Sequence, residues 1–276
     1  MFRKLLRHDM RAIGKFWWIA ALVSTVLSVL GGFCISILRV DYTSYTYLQS
    51  LSVFGIILVV MAYGAFSIIS MVLIFVRFYK NFFSDEGYLT FTLPVRRVDL
   101  LNSKLVASVI YELLTVLTIG INVIGMLCIG FADEIFTKSF FRGLRDVIKE
   151  IFEIFGGYVA VYSVEAIIAV ILMSVFSFMG IFICITLAAT ITKKHKVLTA
   201  LGFYYAYSAI VSGLMQTVMF NGAFVRIMEM LAELNESEIK FALSIIFLGI
   251  IALVAAACAA LHILEHYLLR KRLNLD

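Results

Sequence analysis

The chain alternates long apolar stretches with short polar segments. A helix that crosses a hydrocarbon core of about 30 Å needs roughly 20 residues. Six stretches meet that length: 16–38, 48–76, 105–131, 156–192, 197–225 and 241–264. None shows the segments of about ten alternating residues that characterise membrane-spanning strands. The pattern predicts an all-α polytopic membrane protein with six transmembrane helices.

The composition excludes a water-soluble domain. Hydrophobic residues make up 63% of the 276 residues and charged residues only 15%, against roughly 45–50% and about 25% in soluble domains. So few charges cannot cover a surface that faces water. A single proline and 17 glycines also exclude a disordered or collagen-like chain.

The distribution of basic residues predicts the orientation, because Lys and Arg accumulate in cytoplasmic segments. With the N-terminus inside, sixteen of the 23 Lys and Arg residues are cytoplasmic. The remaining seven are Arg39, Lys138, Arg142, Arg145, Lys149, Arg226 and Lys240. Both termini are therefore predicted to be cytoplasmic. The net charge of +5 is dispersed over loops that flank apolar stretches, so it indicates membrane topology and no nucleic-acid partner.

Three segments outside the spans have amphipathic patterns. Residues 1–15 place apolar and basic side chains on opposite faces, which predicts a cytoplasmic helix that lies on lipid or contacts a partner. Trp17 and Trp18 follow and are expected at headgroup level. The external segments 132–155 and 221–240 also predict helices along the membrane surface, because apolar residues recur there at helical spacing.

Four polar residues within the spans are candidates for a transport pathway or a subunit interface, because a bilayer makes such residues costly. They are Glu112, Asn122, Glu165 and Gln216. A paired or protonated carboxyl near the membrane boundary is the alternative for Glu112. Small residues recur every four positions at Ala252, Ala256 and Ala260, which predicts close helix packing.

One string carries an enzyme-like pattern. His262, Glu265 and His266 form H-x-x-E-H, in which two imidazoles lie one helical turn apart with a carboxylate between them. The pattern suggests an intramembrane metalloprotease, but a third ligand is missing, since only His8 and His195 remain. Residues of these types also commonly meet the membrane boundary at the end of a span. We therefore expect no metal.

The chain has no phosphate-binding loop of its own. The only Gly-Lys pair, Gly14 and Lys15, is followed by Phe16, where a P-loop requires Ser or Thr. We therefore expect no ATPase site and no cofactor in this polypeptide. Transport driven by ATP would require a separate ATP-binding subunit.

The longest predicted cytoplasmic segment is 77–104, and it carries a recognisable pattern. An acid-Gly-aromatic-Leu stretch precedes Leu-Pro-Val-Arg and a helix that ends in Ser-Lys, at Glu86, Gly87, Tyr88, Leu89, Leu93, Pro94, Val95, Arg96, Ser103 and Lys104. This pattern, its place between spans two and three, and the six-span topology resemble the permease subunits of type-2 ABC exporters. In that family the segment forms the coupling helix that docks on the ATP-binding subunit.

The resemblance implies an ATP-driven exporter of a hydrophobic or amphiphilic compound or peptide in a bacterial cytoplasmic membrane. ATP and Mg²⁺ would bind the partner ATPase, and a second copy or a homologous permease would complete the pathway across the bilayer. The expected coupling residues are Phe82, Phe83, Asp85, Glu86, Gly87, Tyr88, Phe91 and Pro94. The alternative is a secondary transporter, which should have repeated, broken helices; the second half of the chain does not resemble the first.

Overall fold

The computed structural model describes residues 2–39, 46–83, 96–192, 195–220, 222–232 and 234–271, and these are all-α. In chain order the described helices are α1 (Phe2–Arg39), α2 (Thr46–Phe83), α3 (Arg97–Gly130), α4 (Ala132–Ile135), α5 (Lys138–Phe155), α6 (Tyr158–Ile191), α7 (Lys196–Phe220), α8 (Gly222–Ala232) and α9 (Glu236–Lys271).

Six of these helices, α1, α2, α3, α6, α7 and α9, are long and apolar enough to cross a membrane. They coincide with the six apolar stretches of the sequence, so the prediction of an all-α polytopic membrane protein is confirmed. The boundary of the fifth span is the main difference. The predicted span 197–225 divides into α7, which ends at Phe220, and α8, which begins at Gly222.

The first helix is continuous through the segment that was expected to be a separate surface helix. α1 has 38 residues, or about 57 Å at 1.5 Å per residue, and it exceeds the hydrocarbon core by far. Its buried positions recur every three or four residues from Asp9 through Trp17 to Ser28. A packed stripe therefore runs from Asp9 to Gly32 of one continuous helix, and residues 2–15 are not a helix separate from the first span.

One compact unit comprises Met1–Phe78 and Val106–Glu150 and contains α1 with most of α2 and α3. The Tyr111 hydroxyl donates to the Met10 carbonyl at 2.6 Å, and the Ser28 hydroxyl donates to the Asn122 carbonyl at 2.6 Å. Contacts between α1 and α3 thus follow the same order along both helices. The two helices run parallel, as the first and third spans of a polytopic protein must.

The other compact unit comprises Tyr79–Leu105 and Ile151–Asp276, including α6, α7 and α9. Ser244 of α9 bonds Glu165 of α6, and Thr186 of α6 bonds Glu265 of α9. These contacts also follow one order, so α6 and α9 run parallel. Parallel helices with α7 between them in the chain are what the fourth, fifth and sixth spans require.

The amphipathic helix α5 is exposed along its whole length, since none of its 18 residues is buried. Its apolar side chains include Phe141, Leu144, Val147 and Phe152, each about half exposed. The prediction of a helix between the third and fourth spans is therefore confirmed. A turn with Gly156 at φ +56° separates α5 from α6, and glycine adopts this left-handed conformation without steric strain.

Candidate functional site

Most of the predicted coupling residues, Asp85, Glu86, Gly87, Tyr88, Phe91 and Pro94, lie outside the described residues. The flanks of this segment are described. Phe82, near the end of α2, has no exposed surface, and Phe83 is half-buried. The expectation that Phe82 offers an exposed aromatic ring to a partner is therefore wrong, because the chain itself covers this side chain.

The helix that follows the segment is equally well packed at its start. Leu100, Leu101 and Ser103 are buried, with at most 2% of each residue exposed. Between them, Asn102 Oδ1 lies 2.7 Å from Nε2 of His262 on α9. The first turns of α3 are thereby fixed to the C-terminal part of α9 within one compact unit.

The three members of the H-x-x-E-H string have different surroundings. His262 contacts Asn102, while Glu265 accepts a 2.6 Å hydrogen bond from Thr186 through Oε1. Glu265 is completely buried, and its Oε2 has no hydrogen-bond partner among the described residues. No group of three metal-binding side chains converges in the described part of the chain. The geometry therefore offers no support for the metalloprotease alternative.

Glu165 lies in a similar arrangement nearer the N-terminal ends of α6 and α9. Its Oε1 accepts a 2.5 Å hydrogen bond from Ser244, and only 4% of the residue is exposed. Its Oε2 is buried and has no partner among the residues described. Nearby, the Tyr162 hydroxyl donates to the Lys240 carbonyl at 2.6 Å. Glu165 is thus buried between two spans with one oxygen uncommitted.

A cavity of about 270 Å³ adjoins this carboxyl. Its walls belong to α6, α9 and the last residue of α5, and they are apolar or aromatic apart from the glutamate and the tyrosine hydroxyl. The lining residues are Phe155, Tyr162, Glu165, Ala166, Leu243 and Phe247. Of the four polar residues predicted for a pathway or interface, Glu165 is the one that lines a cavity described here.

The other three predicted polar residues are in different environments. Asn122 is buried and donates to the Ser24 hydroxyl at 3.2 Å, so it joins α3 to α1. Glu112 is half-buried on α3, and Gln216 is exposed on α7. The structure therefore does not bring the four residues together into one site.

The predicted small-residue face of α9 is not packed against the described part of the chain. Ala252, Ala256 and Ala260 are all exposed. The buried side of α9 includes Val254 and Cys258 instead. The three alanines lie on the other side of the helix, where they mediate no close packing among the residues that the structure describes.

A polar junction that the sequence pattern did not predict joins the first three spans. The Trp17 indole donates to Thr115 Oγ1 at 2.8 Å, and Ser70 Oγ lies 2.8 Å from the same oxygen. Trp17 is 1% exposed and Trp18 is 66% exposed, so only Trp18 has the exposure expected of a headgroup marker. The available signal was the recurrence of Ser and Thr within apolar spans.

An ionic contact joins α1 to α2 at their predicted cytoplasmic ends. Nε of Arg77 lies 3.3 Å from Oδ1 of the buried Asp9, and Nη2 of Arg77 donates to Nδ1 of His8 at 2.8 Å. An arginine near a predicted membrane boundary satisfies the positive-inside pattern, but here its guanidinium also compensates a buried carboxylate.

Comparison with protein families, with curated proteins and with solved structures finds no match for this chain.

Proposed function

We propose that this chain is the membrane-spanning subunit of an ATP-driven ABC exporter, powered by a separate ATP-binding subunit. Its cargo is a hydrophobic or amphiphilic compound or peptide, and its location is a bacterial cytoplasmic membrane. The proposal starts from the sequence pattern between the second and third spans, at Glu86 to Arg96. The six apolar helices match the number of spans expected of such a subunit.

The observation that carries the proposal is the packing on both sides of that segment. Phe82 before it and Leu101 after it have no exposed surface. A soluble partner that pushed on residues 84–95 would therefore act on packed helix ends. This arrangement suits a segment that transmits force better than a loose connection would.

Force applied to residues 84–95 would be transmitted to both compact units, because the two helices that adjoin this segment each belong to both. α2 passes from one compact unit to the other at Phe78 and Tyr79, and α3 passes back at Leu105 and Val106. Each of the two helices adjoining the segment thus belongs to both units. Displacement of the segment would act on both units through continuous helix, which is the kind of coupling that moves rigid bodies in transporters.

Pairing with a second permease, either another copy or a homologue, is supported by the surface of α7. Tyr205 is 79% exposed, and Ser212 and Gln216 are exposed along the same helix. Polar side chains that face acyl chains are costly, and they ordinarily face a partner helix or a cavity. A second permease against α7 would remove these groups from lipid.

Reconstitution tests the proposal. We expect the tagged chain to co-purify from its own cells with an ATP-binding-cassette ATPase, and we expect the complex in nanodiscs to hydrolyse ATP faster than the ATPase alone. A control complex would carry an inactivating substitution in the ATPase. Absence of a complex, combined with substrate movement driven by an ion gradient without ATP, would instead establish the secondary transporter.

A further inference from the structure

The cavity beside Glu165 combines an apolar interior with one acidic group. Phe155, Phe247, Leu243 and Ala166 contribute hydrocarbon, and Glu165 contributes the only carboxyl among its lining residues. Binding sites for small molecules commonly have this composition, with hydrophobic walls and a few polar groups that fix the orientation of the ligand.

The local hydrogen bonds leave one oxygen of Glu165 available to a ligand. Ser244 occupies Oε1 of Glu165, and the Tyr162 hydroxyl is committed to the Lys240 carbonyl. Oε2 of Glu165 is buried without a partner, and no Lys or Arg in the described part of the chain forms an ion pair with this glutamate. A buried acceptor of this kind is satisfied by a donor, and a cationic donor forms the strongest hydrogen bond.

The aromatic rings favour the same class of ligand. The rings of Phe155 and Tyr162 lie 6.0 Å apart at 90° to each other, and ring faces attract cations that have left water. A volume of about 270 Å³ lies just below the range of roughly 300–1,000 Å³ for sites of drug-sized molecules. The cavity therefore suits a small molecule or the end group of a larger one.

We propose that this cavity binds a lipophilic ammonium group, with the cation on Oε2 of Glu165 and the attached hydrocarbon between Phe155 and Phe247. The ammonium belongs either to a free hydrophobic amine or to the headgroup of an aminophospholipid. Binding here requires no ATPase, so the site stands independently of the exporter proposal.

Binding of 4-phenylbutylamine to the full-length chain tests the site. The chain is placed in phosphatidylcholine nanodiscs, which lack primary amines, and binding of the tritiated amine is measured with empty nanodiscs subtracted. The uncharged isostere 4-phenylbutan-1-ol serves as the matched probe. We expect the wild type to bind the amine about tenfold more tightly than the alcohol or better, because only the amine can form a charge-assisted hydrogen bond.

Variants assign that preference to one residue. Glu165→Gln should bind the two probes equally, because it keeps the shape of the side chain and removes its charge. Glu265→Gln is the control, because Glu265 is an equally buried carboxyl on the α6 and α9 pair and does not line the cavity; it should retain the preference. Phe247→Ala should weaken both probes to a similar degree.

Lipid composition separates the two sources of the ammonium. Adding phosphatidylethanolamine to the nanodiscs should weaken amine binding if the lipid headgroup occupies the site, and should leave it unchanged if the ligand is a free amine. Equal affinity of the wild type for amine and alcohol would overturn the proposal even without variants. An amine preference that persists in Glu165→Gln, or disappears in Glu265→Gln, would overturn it as well.

Discussion

Thr186 of α6 donates a 2.6 Å hydrogen bond to Glu265 of α9, and neither residue has exposed surface. Ser244 and Glu165 form the corresponding contact with the roles exchanged, so that here the carboxyl is on α6. The two contacts are 21 residues apart along both helices, or about 31 Å at 1.5 Å per residue. The two contacts are therefore separated by about the thickness of a hydrocarbon core, which is about 30 Å.

Replacing Thr186 with Val should destabilise the α6 and α9 pair. Valine retains the shape of threonine but leaves Oε1 of Glu265 without its donor, which costs about 1–2 kcal/mol for a buried group in a membrane protein. Thermal unfolding in detergent should show a lower Tm. Thr217→Val on α7 is the control, since the Thr217 hydroxyl is exposed and bonds only its own helix at Gly213. Equal Tm values for the two variants would contradict this role.

Replacing Gly180 with Ala should disturb the contact between α6 and α7. An added Cβ would lie 2.5 Å from ring atoms of Tyr207, so the ring would have to move, at a cost of about 1–3 kcal/mol. Gly202→Ala on α7 is the control, because its added Cβ would meet nothing within 4 Å. Thermal unfolding should show a lower Tm for Gly180→Ala than for Gly202→Ala.

A second substitution tests whether the steric conflict is the cause. Tyr207→Leu in the Gly180→Ala background removes the ring that the new methyl group would contact. The double variant should therefore be destabilised by less than the sum of the two single variants. Additive losses would show that Gly180 matters for another reason, because independent sites add.

The topology can be tested with single cysteines in a background without the four native ones. Cysteines that replace Ser44, Ser139 or Ser237 should react with an impermeant thiol reagent added to intact cells. Cysteines that replace Ser84 or Thr192 should not react. The reason is the unequal distribution of Lys and Arg across the membrane. Ser84 and Thr192 should become reactive after permeabilisation. Labelling of the cysteine at position 84 in intact cells would contradict a topology of six spans with cytoplasmic termini.

Two aromatic residues of the predicted coupling segment, Phe83 and Tyr88, are expected to anchor the ATPase. Phe83→Ala combined with Tyr88→Ala should abolish transport and weaken co-purification of the ATPase, because aromatic anchors usually dominate protein interfaces. Membrane insertion should remain normal. Phe141→Ala on α5 is the control, as Phe141 is 56% exposed and lies in a segment predicted to be external. Normal association of the double variant would contradict the coupling role of this segment, from which the exporter proposal starts.

The isolated chain should hydrolyse no ATP and should hold no stoichiometric zinc. The sequence lacks a P-loop. Two members of the H-x-x-E-H string already have other partners, since His262 contacts Asn102 and Glu265 contacts Thr186. On purified protein, a phosphate-release assay measures ATP hydrolysis and elemental analysis measures the zinc content. One zinc per chain that disappears in His262→Ala would restore the metalloprotease alternative.

The sequence by itself determined the class of this protein and the number of its spans. Apolar stretches of more than 20 residues have one structural solution in lipid, because every backbone N–H and C=O must be satisfied within the helix. The amphipathic helix α5 was predictable for a similar reason, since its apolar and charged residues separate into two faces. These properties depend on local composition and on the helical period alone.

Only the tertiary structure decided which side chains each helix buries. Lipid and a neighbouring helix are equally apolar, so hydrophobicity does not distinguish the packed face of a span from the exposed one. For this reason Ala252, Ala256 and Ala260 suggested a packing face but are exposed, and Trp17 suggested a membrane boundary but is buried.

The partners of the buried carboxyls depended on tertiary structure as well. Glu165 and Ser244 are 79 positions apart in the sequence, as are Thr186 and Glu265. The pattern within one span indicates that a carboxyl needs a partner or a cavity, but not where either one lies. The contact arises from the parallel alignment of α6 and α9, which is set by packing along their full lengths.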